Sequence, residues 1–142
     1  MQLRVLIIET SDAMRDSIAI HIESLGHEVI TASSAEMCPH YHEDNQACRQ
    51  ENACGDVIIL GQELPATTGI DYIERRLAGG CRGAAANNAI ICRPWSHNEQ
   101  RRADALGCRF FETPILLAEI TVWLKDIEAR TPVERTLTPL VD

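Results

Sequence analysis

Residues 56–78 read DVIILGQELPATTGIDYIERRLA. The run at 57–60 is apolar at every position and mostly β-branched, which suits a strand covered on both faces. Gly61 and Pro65 interrupt it, and Ile70, Ile73 and Leu77 then recur at the spacing of one helical face, so a helix is predicted over 69–78. The same unit repeats outward. Apolar runs at 5–8 and 89–92 predict two more buried strands, and 27–32 and 109–112 predict two weaker ones. Met14, Ile18, Ile22 and Leu25 predict a helix over 11–25, capped by Ser11 or Asp12 and stopped by Gly26. A polar helix is predicted over 97–106, closed by Gly107, and another over 115–129 with Leu116, Ile120, Trp123, Leu124 and Ile127 on one side. Strands alternating with helices predict an α/β protein with a doubly wound, five-stranded parallel sheet. Its functional residues belong at the carboxyl ends of the strands, near the point where strand order reverses.

The chain has 142 residues, enough for one continuous core and too few for two ordinary ones. The expected organisation is one domain over 1–130 with an insertion near 37–55, followed by a tail or linker at 131–142, where prolines and threonines replace any periodicity. Gly79 to Asn88 reads as a flexible loop. The formal net charge of −8 argues against direct nucleic-acid binding, which needs clustered Lys and Arg. No apolar run is long enough for a membrane span and the N-terminus lacks the pattern of a signal peptide, so a cytoplasmic protein is expected. Its six cysteines are then expected as reduced thiols or ligands, not structural disulfides.

Three separated segments, RVLIIETSDAMRDSI at 4–18, DVIILGQELPATTGIDYIERR at 56–76 and ALGCRFFETPILLAEITVWL at 105–124, together resemble the receiver domains of bacterial two-component response regulators, over about residues 3–128. The resemblance implies a flavodoxin-like sheet with five helices, an acidic pocket for Mg²⁺, and an aspartate phosphorylated by a histidine kinase. The residues that would carry this chemistry are changed. Of the two acids expected after the first strand, Glu9 remains and the second is Thr10. The acceptor aspartate should lie four residues before Pro65, and that residue is Gly61. The hydroxyl expected on the fourth strand aligns with Cys92, and the lysine expected before Pro114 is Thr113. Phosphoryl transfer needs an in-line carboxylate oxygen and a cation to neutralise the transferring group. The expectation is therefore a degenerate, pseudo-receiver domain: not an enzyme, with no cofactor, Mg²⁺ binding disfavoured and zinc the alternative. Arg93 is expected to be exposed, with contact to an anion as the alternative, and rescue through Glu63 or Asp12 is disfavoured.

Between the second and third strands the chain is longer than an ordinary receiver and contains EMCPHYHEDNQACRQENAC. Cys38, His40, His42, Cys48 and Cys54 are ligand types suited to zinc, although no C-x-x-C pair is present. An irregular second helix is the preferred reading, a metal site or a thiol sensor the alternatives. Cys92 and Cys108 fall near strand boundaries and are expected to pack. Two functional readings follow. The first is phosphorylation-independent signalling through a protein partner or a homodimer, using the fourth helix, fifth strand and fifth helix, with a histidine kinase or output domain among the candidates. The second is metal or redox sensing through the insertion. Trp95, Phe110 and Phe111 are the candidate interaction aromatics, with simple packing as the alternative for each.

Overall fold

The structure, a computed structural model, describes residues 1–34, 52–81, 87–93 and 96–139. Five parallel strands form its sheet: β1 (Arg4–Ile8), β2 (Glu28–Ala32), β3 (Val57–Gly61), β6 (Asn87–Cys92) and β7 (Arg109–Glu112), in spatial order β2-β1-β3-β6-β7. Between β3 and the next helix a short antiparallel hairpin pairs β4 (Glu63–Leu64) with β5 (Thr67–Thr68). The helices are α1 (Asp12–Ser24), α2 (Gly69–Ala78), α3 (His97–Leu106) and α4 (Leu117–Arg130). The five predicted strands and four of the predicted helices are present, with ends displaced by up to two residues, and Asn87 and Asn88, expected in a loop, open β6. The hairpin was not foreseen, and the predicted irregular helix lies outside the described residues.

The alternation of side chains along each strand divides the core in two. Val5, Ile7, Val57, Ile59, Ala89 and Ile91 face Ile18 and Ile22 of α1 and Ile120, Leu124 and Ile127 of α4. Leu6, Ile8, Ile58, Leu60 and Ile90 face Ile70 and Ile73 of α2 on the other side, with Leu106 of α3 packed at the margin. Two covered faces explain the unbroken apolar runs of β1 and β3. The helix ends also follow local chemistry. Ser11 accepts the Met14 amide hydrogen, Thr68 accepts that of Asp71, and Ser96 with Glu99 forms a reciprocal capping box. Gly26 and Gly107 take the left-handed conformation that stops α1 and α3, at φ of 92° and 71°.

Ala66 does so without being glycine. It sits at φ 65° as the second residue of the two-residue Pro65–Ala66 turn, where the fixed proline φ followed by a positive φ is the pattern of a type II turn. The left-handed region costs an alanine about 1–2 kcal/mol, partly offset in glycine by its greater freedom when unfolded.

At the amino ends of the strands, the segment expected to be a tail is tied down. Arg135 donates to both oxygens of Asp56, at 2.8 and 2.6 Å, and to the carbonyl of Gln2 at 2.9 Å. Thr138 donates its amide to Ala53 and its hydroxyl to Asn52, while Arg4 donates to the Thr138 carbonyl. Burial alone would push the Asp56 carboxyl up. The hydrogen bonds from Arg135 and the Arg4 amide, with the charges of both arginines, outweigh burial and hold it below the ordinary carboxylate range. Nearby, the buried His27 accepts the Leu3 amide at Nδ1, which leaves its proton on Nε2, 2.9 Å from Glu128.

These contacts set two expected outcomes. Arg135→Ala leaves a buried carboxylate without its fork and lowers stability by about 2 kcal/mol, read by urea denaturation at neutral pH. Because the folded carboxyl sits below its unfolded value near about 3.9, the contribution is fully present above that pH and is lost as pH falls through the lower folded value. Wild type and variant should therefore converge in acid, and a gap that persists there would exclude Asp56 as the origin. Ala66→Gly should raise the urea midpoint by the equivalent of about 0.5–1 kcal/mol.

Candidate functional site

Strand order reverses between β1 and β3. The chain leaves β1 toward the face covered by α1 and leaves β3 toward the face covered by α2, so a crevice opens at their carboxyl ends. A cavity of about 340 Å³ occupies it, lined by Glu9, Thr10, Ser11, Met14, Gln62, Glu63, Ile91, Cys92, Arg93 and Thr113. The tertiary fold thus brings together Glu9 and Thr10 after β1, Cys92 at the end of β6 and Thr113 after β7, and sets Gly61, at the end of β3, beneath Glu9.

Glu9 is only 8% exposed. Its amide donates to Ala32 on β2, its carbonyl accepts from Arg15, and its Oε1 accepts the Ser11 amide at 3.1 Å. Its carboxylate lies directly over Gly61: a Cβ placed on that glycine would overlap Glu9 Oε2 and stand 3.0 Å from Cδ. The space into which a side chain at the end of β3 would project therefore already holds the carboxylate from β1. A second close approach supports the first. Gly69, at the start of α2, packs so near the Gly61 carbonyl oxygen that an added Cβ would fall 2.5 Å from it.

The remaining lining residues have defined places. Gln62 accepts the Arg93 amide at 3.0 Å and donates toward Glu99 at 3.4 Å, joining the loop after β3 to the start of α3. Glu99 is held below the ordinary carboxylate range by hydrogen bonds from the Ser96 amide and hydroxyl, against a small opposing effect of burial, with smaller help from Gln62 and the charge of Arg102. Arg93 is exposed at the rim. Asp12 is exposed and pairs with Arg15, and Glu63 is exposed beside the cavity. Thr113 donates its amide to the Cys92 carbonyl and precedes Pro114 through a cis peptide bond.

Cys92, at the position that aligns with a hydroxyl, packs as the sequence led one to expect: it is 1% exposed, with its sulfur 4.0 Å from the Phe111 carbonyl oxygen, so the thiol is turned toward β7. One sequence expectation needs correction. Phe111, a candidate interaction aromatic, is also 1% exposed and packs edge-on against Trp123 at 5.6 Å, because the pleat of β7 points it into the core. Phe110, on the opposite pleat, is half-buried. Trp95, Cys38, His40, His42 and Cys48 lie outside the described residues. Cys54 is half-buried against the α2-side core, and among the described residues no three His, Cys, Asp or Glu side chains are grouped to hold a metal. Burial pushes the Cys108 thiol up to about 11, which makes it unreactive at neutral pH. Among the described residues no helix is long and apolar enough to cross a membrane.

The chain matches no family model and no curated protein. Solved structures are more informative. The receiver domain of a Francisella response regulator matches with a TM-score of 0.73 at 14% identity, over 92% of this chain and 100% of that one. CheY4, a chemotaxis response regulator of Vibrio cholerae, matches at 0.66 with 18% identity, over 89% of this chain and 99% of that one. The signal receiver domain of a LuxO repressor protein from Vibrio parahaemolyticus matches at 0.71 with 16% identity, over 92% of each chain. The fold is that of these receiver domains.

The two glycines make contrasting predictions. Gly61→Ala displaces only the end of the Glu9 side chain, so it should cost about 1 kcal/mol and speed hydrogen exchange at the Ser11 amide. That cost should vanish in a Glu9→Ala background. Gly69→Ala meets backbone, which cannot swing aside, and should cost about 2–3 kcal/mol whatever stands at position 9. Equal costs, or no coupling between positions 9 and 61 in a double-mutant cycle, would refute this geometry.

Proposed function

We propose that this receiver-fold domain acts in signal transduction through phosphorylation-independent protein–protein interaction. One observation carries the reading: the place of an acceptor side chain at the end of β3 is held by Glu9, over a glycine that has no nucleophile. Glu9 cannot simply take over as acceptor, because its own carboxylate is largely covered and one oxygen is engaged by the Ser11 amide. The domain then serves by the surface it presents.

The surface favoured for that contact is the one formed by α3, β7 and α4. β7 is one of the two outer strands of the sheet. Beside it, Arg109, Ala118, Glu119, Val122, Trp123 and Asp126 line an open hollow of about 530 Å³. Leu116 and Val122 are 62% and 68% exposed, while Leu124 turns inward and Trp123 is shared between core and hollow. Apolar side chains in such a position with a charged rim are the composition of a docking surface for a protein, whether a second copy, a kinase or an output domain.

Native mass spectrometry after incubation with Mg²⁺ and acetyl phosphate tests the first half of the proposal. An unmodified chain is expected, and a covalent phosphoryl adduct would overturn it. For the second half, Val122→Glu should weaken whatever self-association sedimentation detects by at least about tenfold without changing the far-ultraviolet circular dichroism. Association that is indifferent to this change would move the interface elsewhere.

A further inference from the structure

We propose that residues 135–138 are a releasable strap, an internal ligand seated in a peptide-recognition site at the amino ends of β1 and β3. An extended segment of a protein partner, carrying an arginine three positions before a threonine, can take the same seat. The chemistry of the seat is read from its occupant. Asp56, whose side chain is 4% exposed, receives Arg135 as a fork at 2.8 and 2.6 Å, and the same guanidinium donates to the Gln2 carbonyl at 2.9 Å. Three residues on, Thr138 donates its hydroxyl to the Asn52 carbonyl at 2.7 Å and its amide to the Ala53 carbonyl at 2.8 Å, while its own carbonyl accepts from Arg4 at 2.8 Å. A forked cation and a hydroxyl give selectivity, and the main-chain bonds beside the hydroxyl demand an extended backbone.

The strap is held by polar contacts. Among the described residues none from 131 to 139 belongs to either hydrophobic core. Pro132, Val133, Glu134, Thr136 and Pro139 are exposed, Val133 at 74%. Departure of the strap therefore leaves both cores and the pairing of β1 with β3 in place, which is the signature of a local opening. Nor does departure strand the seat. Asp56 keeps the Arg4 amide at 2.8 Å, and Arg4 keeps Glu28 and the Cys54 carbonyl. The groups uncovered turn to water. Strapped and open forms are thus a two-state element, and a segment that binds the open seat shifts the balance away from the strap. Because the strap also pins Asn52 and Ala53, its release frees the last residues before β3 together with the segment after α4.

Native-state hydrogen exchange of the full chain, followed by NMR, tests the release. The Thr138 amide should exchange through an opening that barely depends on urea, with protection at least about tenfold below that of the Ile59 amide in the central sheet. Arg135→Ala should open the strap while the amide shifts of β1 and β3 are retained. A synthetic peptide of residues 132–139 is then added to that variant at up to about 5 mM, above the roughly millimolar effective concentration of a short tether. It should produce saturable shifts at the Arg4 and Asp56 amides, and the same peptide carrying Arg135→Ala should bind at least about tenfold more weakly. If Arg135→Ala does not fold, Thr138→Val keeps the fork, loses the hydroxyl contact to Asn52 and serves in its place. Exchange of the Thr138 amide only in step with Ile59 would overturn the release. Shifts that do not saturate, or equal binding of the two peptides, would overturn the recognition site.

Discussion

The parallel pairing of β1 with β3, from Val5 opposite Val57 to Ile8 opposite Leu60, is the constraint on which the rest of the molecule depends. Both strands are buried on both faces, so their register is fixed by two cores at once, and a slip of one residue would exchange the side chains facing each core. The same pair is where strand order reverses. Each strand must send its chain to a different face, and the gap left at their carboxyl ends is a consequence of that divergence. The cavity thus follows from the sheet, and the loops only furnish it.

What furnishes it is a trade among three residues. With glycine at the end of β3, the carboxylate from β1 can lie flat over the strand. With glycine at the start of α2, the helix can approach the same peptide from the other side. A carboxylate in that position is largely covered, accepts the Ser11 amide at Oε1, and occupies the space a side chain at the end of β3 would need. Gln62 extends the arrangement laterally by holding the β3 loop to the beginning of α3, next to the face proposed for docking.

The opposite end of the sheet is closed by different means. Arg135 and Thr138 bring the chain after α4 back across Gln2, Asn52, Ala53 and Asp56. These partners are mostly backbone carbonyls that parallel strands leave open at their amino ends, and satisfying them costs less than exposing them beside a covered carboxylate. The last described residues of the long β2–β3 connection are thereby fastened to the segment after α4.

The sequence by itself determined the strands and helices of the sheet and the ends of α1 and α3, because these depend on periodicity and on short-range chemistry visible at Val57 to Leu60, Ser11, Gly26 and Gly107. It also located Glu9, Thr10, Gly61, Cys92 and Thr113 at strand ends, where a crevice should form. Only the tertiary structure decided what those residues do there. That Glu9 lies over Gly61, that Cys92 turns away, that Phe111 is core and Phe110 is not, and that Arg135 reaches Asp56 are all outcomes of pleat direction and of contacts far apart along the chain. Periodicity names the face of an element, but the partner across a gap is set by how several elements pack together, and no local pattern carries that information.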